Sequence, residues 1–211
     1  IAKGAYYTFS MNNPITIVGG LKSFTAKIIS VNGGTDEDST DNKKSIYLNP
    51  IIPAKDKLVI AEEATGTWCQ WCPRGAVSLK NFHSKYEGFF QGIAVHNSDP
   101  MTNFDYDASV AGKISGFPSA FVDRGTTMDP SAMGADILKR IQTAPKAVFS
   151  FAAKYDASTK TLKVAATTTM KEAISGNYKV ACVIVEDSVH GTTSSYNQAN
   201  QLKKYSNLMK H

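Results

Sequence analysis

The stretch Thr67-Trp-Cys-Gln-Trp-Cys-Pro-Arg-Gly75 sets two cysteines two residues apart, and what surrounds them limits the folds open to the chain. Before it lies Leu58-Val-Ile-Ala61, a short apolar run of buried-strand type. After it, Ala76, Leu79, Phe82 and Tyr86 recur at helical spacing, with Gly88 as a stop signal. Phe89-Phe-Gln-Gly-Ile-Ala-Val95 then reads as a second buried strand. The pattern predicts a βαβ unit with parallel strands and a right-handed crossover, with the cysteines where strand gives way to helix. There the helix's unpaired N–H groups favour a thiolate on the first sulfur, Cys69. Cys72, expected one turn inside the helix, can attack a mixed disulfide and release its partner. Pro73 is tolerated in a first turn because its missing N–H has no intrahelical acceptor. A static staple remains the alternative. Zinc would need two more ligands at suitable spacing, and the chain offers only Cys182 and four separated histidines.

The remainder reads as three textures. Residues 1–56 are rich in β-branched and aromatic residues, at Tyr6–Phe9, Ile15–Val18 and Phe24–Val31, punctuated by Gly19-Gly20 and Gly33-Gly34. The acidic run Thr35–Asn42 is expected as an exposed loop, since it lacks the alternating ligands and glycine of a calcium loop. Three or four strands are too few to stand alone, so this segment is expected to end a β-sandwich or to pack as an arm. Residues 57–145 continue with a polar helix around Asp105–Ile114 and a strand opening at Gly116-Phe-Pro-Ser-Ala-Phe-Val122. Asp129-Pro130 then caps a helix carrying Ile137, Leu138 and Ile141. Gly125–Pro130 reads as a turn. Residues 146–211 return to alternation: Ala147–Ala153, a turn at Asp156–Lys160, Thr161–Ala166, and a third strand at Tyr178–Val185 in which Cys182 is expected to be buried. This antiparallel meander is expected to complete a sandwich with the first segment. The tail from Ser194 has little pattern.

Composition excludes some classes. At 211 residues and 42% hydrophobic content the chain can bury a sizeable core. Its longest apolar runs, such as Lys179–Glu186, are strand-sized and well short of the roughly 18–20 residues of a membrane helix. The net charge of +5 comes mainly from the last third, with nine lysines against four carboxylates between 146 and 211. Those lysines are scattered along alternating patterns with no interleaved aromatic cluster, which argues for a solvated face and against nucleic acid. Ile1-Ala-Lys-Gly has neither an initiator methionine nor the apolar core of a signal peptide, so a processed or trimmed chain is expected.

Strand, Trp68-Cys69-Gln70-Trp71-Cys72-Pro73, helix, strand, helix and Gly116-Phe117-Pro118-Ser119 together resemble the thioredoxin superfamily, over residues 57–145. Glu62–Pro73, Val95-His-Asn-Ser-Asp99, Gly116-Phe-Pro118 with Asp123-Arg124, and Val185-Glu-Asp187 more closely resemble thioredoxin-like outer-membrane-associated lipoproteins of Bacteroidetes-type bacteria. Val31–Asn42 is similar to the last hairpin of an immunoglobulin-like module that precedes such domains. The resemblance implies an α/β thioredoxin-like domain, three layers around a mixed sheet, flanked by antiparallel β-sandwich segments. It implies Cys69 as nucleophile, Cys72 as resolving cysteine, and a cis-proline loop at Pro118 whose Phe117 backbone pairs with substrate. Glu63 sits nearest the buried acid that accepts the second cysteine's proton; a salt bridge or a strand-end carboxylate is the other reading.

Trp68 is expected beside the disulfide and Trp71 on the surface, each a candidate substrate contact or an ordinary packed or exposed tryptophan. His96, at the end of the second parallel strand, reads as structural. The function expected is a cell-envelope thiol–disulfide oxidoreductase without a cofactor, acting on a thiol- or disulfide-bearing protein. Membrane association would come only through a lipid anchor absent from these residues. The alternative is a surface binding or adhesion lipoprotein whose thioredoxin-like module is a scaffold with an inert bridge. The Gln-Trp dipeptide between the cysteines matches no reducing or oxidising family pattern and leaves the direction of electron flow open.

Overall fold

The computed structural model describes Tyr6, Thr8, Ser10, Asn12, Asn13, Ile15, Thr16 and residues 18–199. The chain divides into two compact units, residues 1–52 and 53–211. In the first, β1 (Lys22–Lys27) pairs antiparallel with β2 (Lys43–Leu48). The strand expected over Phe24–Val31 therefore ends at Lys27, and Val31 makes only an isolated bridge to Gly34. The acidic run between the strands is a loop, as expected, held by its own short turns such as Thr40 N–H to Asp38 Oδ1 at 2.9 Å. The strands expected at Tyr6–Phe9 and Ile15–Val18 lie partly outside the described residues, and their described positions carry no strand.

The second unit is a mixed α/β fold around the three-stranded sheet β4–β3–β5. Its central strand β3 (Val59–Thr65) runs parallel to β4 (Phe90–His96), the pairing expected of a βαβ unit, and antiparallel to β5 (Ser119–Val122). Helix α1 (Pro73–Lys85) connects β3 to β4, α2 (Phe104–Ala111) follows β4, and α3 (Gly134–Ile141) follows a 3₁₀ turn at Pro130–Ala132. Asn103 caps α2 by accepting Tyr106 N–H, and Asp129 caps the 3₁₀ turn by accepting Ser131 N–H.

Two apolar clusters carry the sheet. Val59, Ala61, Ala120 and Val122 pack with Phe90, Met133, Ile137 and Ile141, joined by Leu79 and Phe82 of α1. Ile93, Val95 and Phe121 pack instead with Val110 of α2. Because successive side chains of a strand point to opposite faces, Glu63 falls on the α1 side with Val59 and Ala61, and Glu62 on the α2 side. Ala76, expected on the inner face of α1, is exposed; the inward stripe runs through Leu79, Phe82 and Tyr86.

The sheet's edge corrects the sequence reading. Gly125–Pro130 is more than a turn, since Met128 and Ala120 exchange both backbone hydrogen bonds at 2.8 Å, giving β5 a one-residue partner. Beyond the sheet, β6 (Ala147–Asp156) and β7 (Thr161–Met170) form an antiparallel ribbon. Phe149, Phe151, Tyr155, Leu162 and Val164 lie exposed on it. A two-stranded ribbon by itself is not the multi-stranded layer a sandwich needs. Tyr178–Val185 forms no strand, and Cys182 is exposed, not buried: the apolar alternation is there, but no ladder takes up its backbone groups. No helix among the described residues is long and apolar enough to cross a membrane.

Candidate functional site

The cysteine pair lies in the turn that leaves β3. Cys69 N–H donates to the Gly66 carbonyl at 3.0 Å and Cys72 N–H to the Cys69 carbonyl at 3.3 Å, so the chain is already winding before the helix begins. Helix α1 starts at Pro73 with Cys72 as its N-cap residue, which places Cys72 at the helix boundary and not one turn inside it. The reason is Pro73, whose fixed φ and missing N–H suit the first helical position. Cys69 and Cys72 are disulfide-bonded with Cα atoms 5.4 Å apart, so both sulfurs belong to the amino end of α1. No acidic side chain occupies that first turn, and Arg74 stands in it, paired to Asp129 at 2.8 Å. This end of the helix favours negative charge on sulfur.

Both cysteines are buried, Cys69 with 4% exposure and Cys72 with 1%. A nucleophilic Cys69 at a helix start would be expected to be partly open, and in the oxidised chain it is covered. Its neighbours are open: Trp68 and Trp71 are about half exposed. Trp68 folds back over the loop, donating Nε1–H to the Asn97 carbonyl at 2.7 Å and meeting Phe117 edge-on, ring centroids 5.1 Å apart. A Cβ on Gly66 would come within 2.6 Å of Trp68 Nε1, so glycine there is what lets the indole lie down. The Phe117–Pro118 bond is cis, as expected, and the Trp68–Phe117 contact ties that loop to the cysteine loop.

Beneath the helix start is Glu63, 1% exposed, in the middle of the central strand between Ala94 and Ala120. Its Oε1 has no hydrogen-bond partner among the described residues. Burial pushes its carboxyl up from 4.5 to about 8, although neighbouring Thr65 and the charge of Arg74 oppose the shift. A Cβ on Gly75 would collide with this carboxyl, so the glycine in the first turn of α1 is the gap through which the acid reaches the helix. Gly75 N–H in turn donates to the Cys72 carbonyl at 2.9 Å, placing the acid one turn from the second cysteine.

The neighbouring Glu62 has a different fate. On the other face of the sheet it accepts from the Tyr106 hydroxyl at 2.7 Å and pairs with Arg124 through Nε and Nη2 at 3.1 and 2.8 Å. The salt bridge weighed as a reading of Glu63 thus belongs to Glu62.

Asp99 is the residue that sequence reasoning passed over. Its side chain is 1% exposed; Oδ2 accepts Thr67 N–H at 2.9 Å and lies 2.6 Å from His96 Nδ1, while Oδ1 accepts Met101 N–H at 2.9 Å. One carboxylate so fastens the end of β4, His96 included, to the loop that carries Cys69. The available signal was the His-x-x-Asp spacing just past a strand end, which has no chemistry until the fold sets Thr67 beside it.

No family model matches the chain, and no curated protein matches it. HBP35 of Porphyromonas gingivalis is a similar solved structure, at 21% identity and a TM-score of 0.40, over 48% of this chain and 38% of that one. A protein of Agrobacterium tumefaciens is another, at 16% identity and a TM-score of 0.36, over 49% of this chain and 55% of that one. The chain thus spans well under two thirds of both, and likeness at this level does not establish a shared fold.

Proposed function

We propose that residues 57–145 form a thioredoxin-like domain and that the Cys69–Cys72 pair carries out thiol–disulfide exchange with a protein partner in the cell envelope. The observation that carries the reading is the buried acid: Glu63 has an Oε1 with no hydrogen-bond partner among the described residues, and it lies against the first turn of the helix that Cys72 caps. Burying a carboxyl in this way costs stability and serves no packing purpose that a leucine would not serve better. A proton acceptor beside a resolving thiol does need it.

In the direction that reduces a substrate, the Cys69 thiolate attacks one sulfur of the partner's disulfide and the other leaves as a thiolate. The Cys72 thiol then gives its proton to Glu63 and attacks Cys69 Sγ, which releases the second substrate thiolate. Two electrons pass from the cysteine pair to the substrate, and the opposite direction retraces the same steps. Trp68, Trp71 and Phe117, exposed or half-buried around the pair, form the apolar ground on which a partner would rest. One observation favours the scaffold alternative: Cys69 is covered.

Alkylation of the reduced protein separates the two. Cys69 is expected to react well below pH 8 and faster than Cys72 or Cys182, as thiols at helix amino ends have pKa values of about 3.5 to 7.5 against roughly 8.5 for a free cysteine. Mapping the modified residue by mass spectrometry across pH 5–9 reads this directly. A Cys69 that alkylates no faster than exposed Cys182 at every pH would remove the exchange reading.

A further inference from the structure

A segment from far along the chain hydrogen-bonds to the cysteine loop. After a 3₁₀ turn at Ser194–Tyr196 the backbone turns extended at Asn197, with φ −79° and ψ 121°. It then meets the loop before α1. Gln198 Nε2 points into a fan of backbone carbonyls, 2.9 Å from Cys69 O, 3.2 Å from Gly66 O and 3.3 Å from Thr67 O. Ala199 N–H donates to Thr67 O at 2.6 Å. The carbonyl groups of a bent loop are acceptors that solvent or a partner must satisfy. Gly66 O and Cys69 O each already accept one bond from within the loop, and a segment some 130 positions away supplies their second donor and a donor to Thr67 O, one of the three carbonyls being on the cysteine that the exchange reading makes the nucleophile.

We propose that Tyr196–Ala199 is an intramolecular strap that holds the place of a substrate segment on the cysteine loop and must be displaced before Cys69 can be attacked or can attack. The proposal rests on the exchange reading and extends it. The features of the strap are those expected of a substrate: an extended backbone offering an N–H to Thr67 O, and a neutral side chain with hydrogen atoms to donate. The fan consists of acceptors alone, so an acidic side chain at the Gln198 position would face three carbonyl oxygens and be repelled. The same electrostatics select an incoming protein segment with an amide or other donor at that place over an acidic one. Cys69 is buried while the tryptophans beside it are half open, which is the condition a displaceable strap would create.

The test is the rate at which dithiothreitol reduces the Cys69–Cys72 bridge in the full chain, followed by quenched gel-shift. Gln198→Ala removes the side-chain hydrogen bonds and should speed reduction roughly three- to tenfold, the change expected for losing a net hydrogen bond or so. Gln198→Glu should speed it further. Thr192→Ala, at an exposed position outside the strap and with no side-chain bond to the loop, should match the parent. Equal rates for all four proteins overturn the strap. The two proposals fail separately: faster reduction in the Gln198 variants together with a Cys69 that stays unreactive in the reduced Gln198→Ala protein keeps the strap and sinks the exchange reading. Equal rates with a reactive Cys69 do the reverse.

Discussion

The Cys72→Ser protein is expected to accumulate as a mixed disulfide through Cys69 when offered an oxidised protein substrate, while the Cys69→Ser protein captures nothing. The asymmetry follows from position. Both sulfurs sit at the amino end of α1, but Cys72 is the N-cap residue with Glu63 one turn away, and Cys69 lies in the preceding turn between the two tryptophans. Removing the resolving thiol leaves the first exchange step intact and blocks the second, so the intermediate persists. Removing Cys69 deletes the nucleophile, and turnover of a disulfide substrate should fall by about three orders of magnitude or more. Non-reducing gels and turnover assays on the two variants check both halves. Equal trapping by either cysteine would reverse the assignment of roles, and trapping by neither would favour the inert scaffold.

The second large effect belongs to Glu63. Its carboxyl is raised by burial from 4.5 to about 8, so between those values the folded chain keeps a proton that the unfolded chain gives up. The folded state binds more protons across that window, and stability therefore falls as pH rises through it. Below about 4.5 both states are protonated and the cost vanishes; above about 8 it is complete. Glu63→Gln keeps the shape and removes the ionisation. It should leave stability near pH 4.5 little changed and raise it at pH 8 by on the order of 4 kcal/mol, or roughly 10 °C in Tm. Unfolding followed through Trp68 and Trp71, the two tryptophans of the chain, reports on this unit. The same variant should lose exchange activity by about a hundredfold, as expected for removing a proton acceptor. A variant that gains stability and loses rate together distinguishes an acid kept for chemistry from one kept for packing. Equal pH dependence of stability in parent and variant would contradict the assignment.

How far the sequence foretold this architecture depends on the range of the interactions involved. The βαβ unit was legible because a strand, a cysteine pair with proline, and a helix stripe follow one another locally. Glu63 was legible as a candidate only through the resemblance; strand alternation then separates it from Glu62, and Gly75 reveals why it can be buried. Met128 was missed because a single bridge leaves no periodic trace. Asp99 and Gln198 were missed because each acts on a backbone group far away in sequence, 32 positions for Thr67 and 129 for Cys69. Strand β2, Lys43–Leu48, was missed because its side chains are all exposed and lack the apolar alternation that marks a half-buried strand. The reverse error occurred at Tyr178–Val185, where alternation is strong and no strand forms, since pattern supplies a face but not a partner.

The measurement that bears most directly on the exchange reading is the reduction potential of the Cys69–Cys72 bridge, taken by equilibrating the full chain with defined glutathione or dithiothreitol mixtures. An exchanger is expected between about −120 and −270 mV, the span of proteins that pass disulfides on. A potential well below about −300 mV would mark a permanent staple and contradict the account.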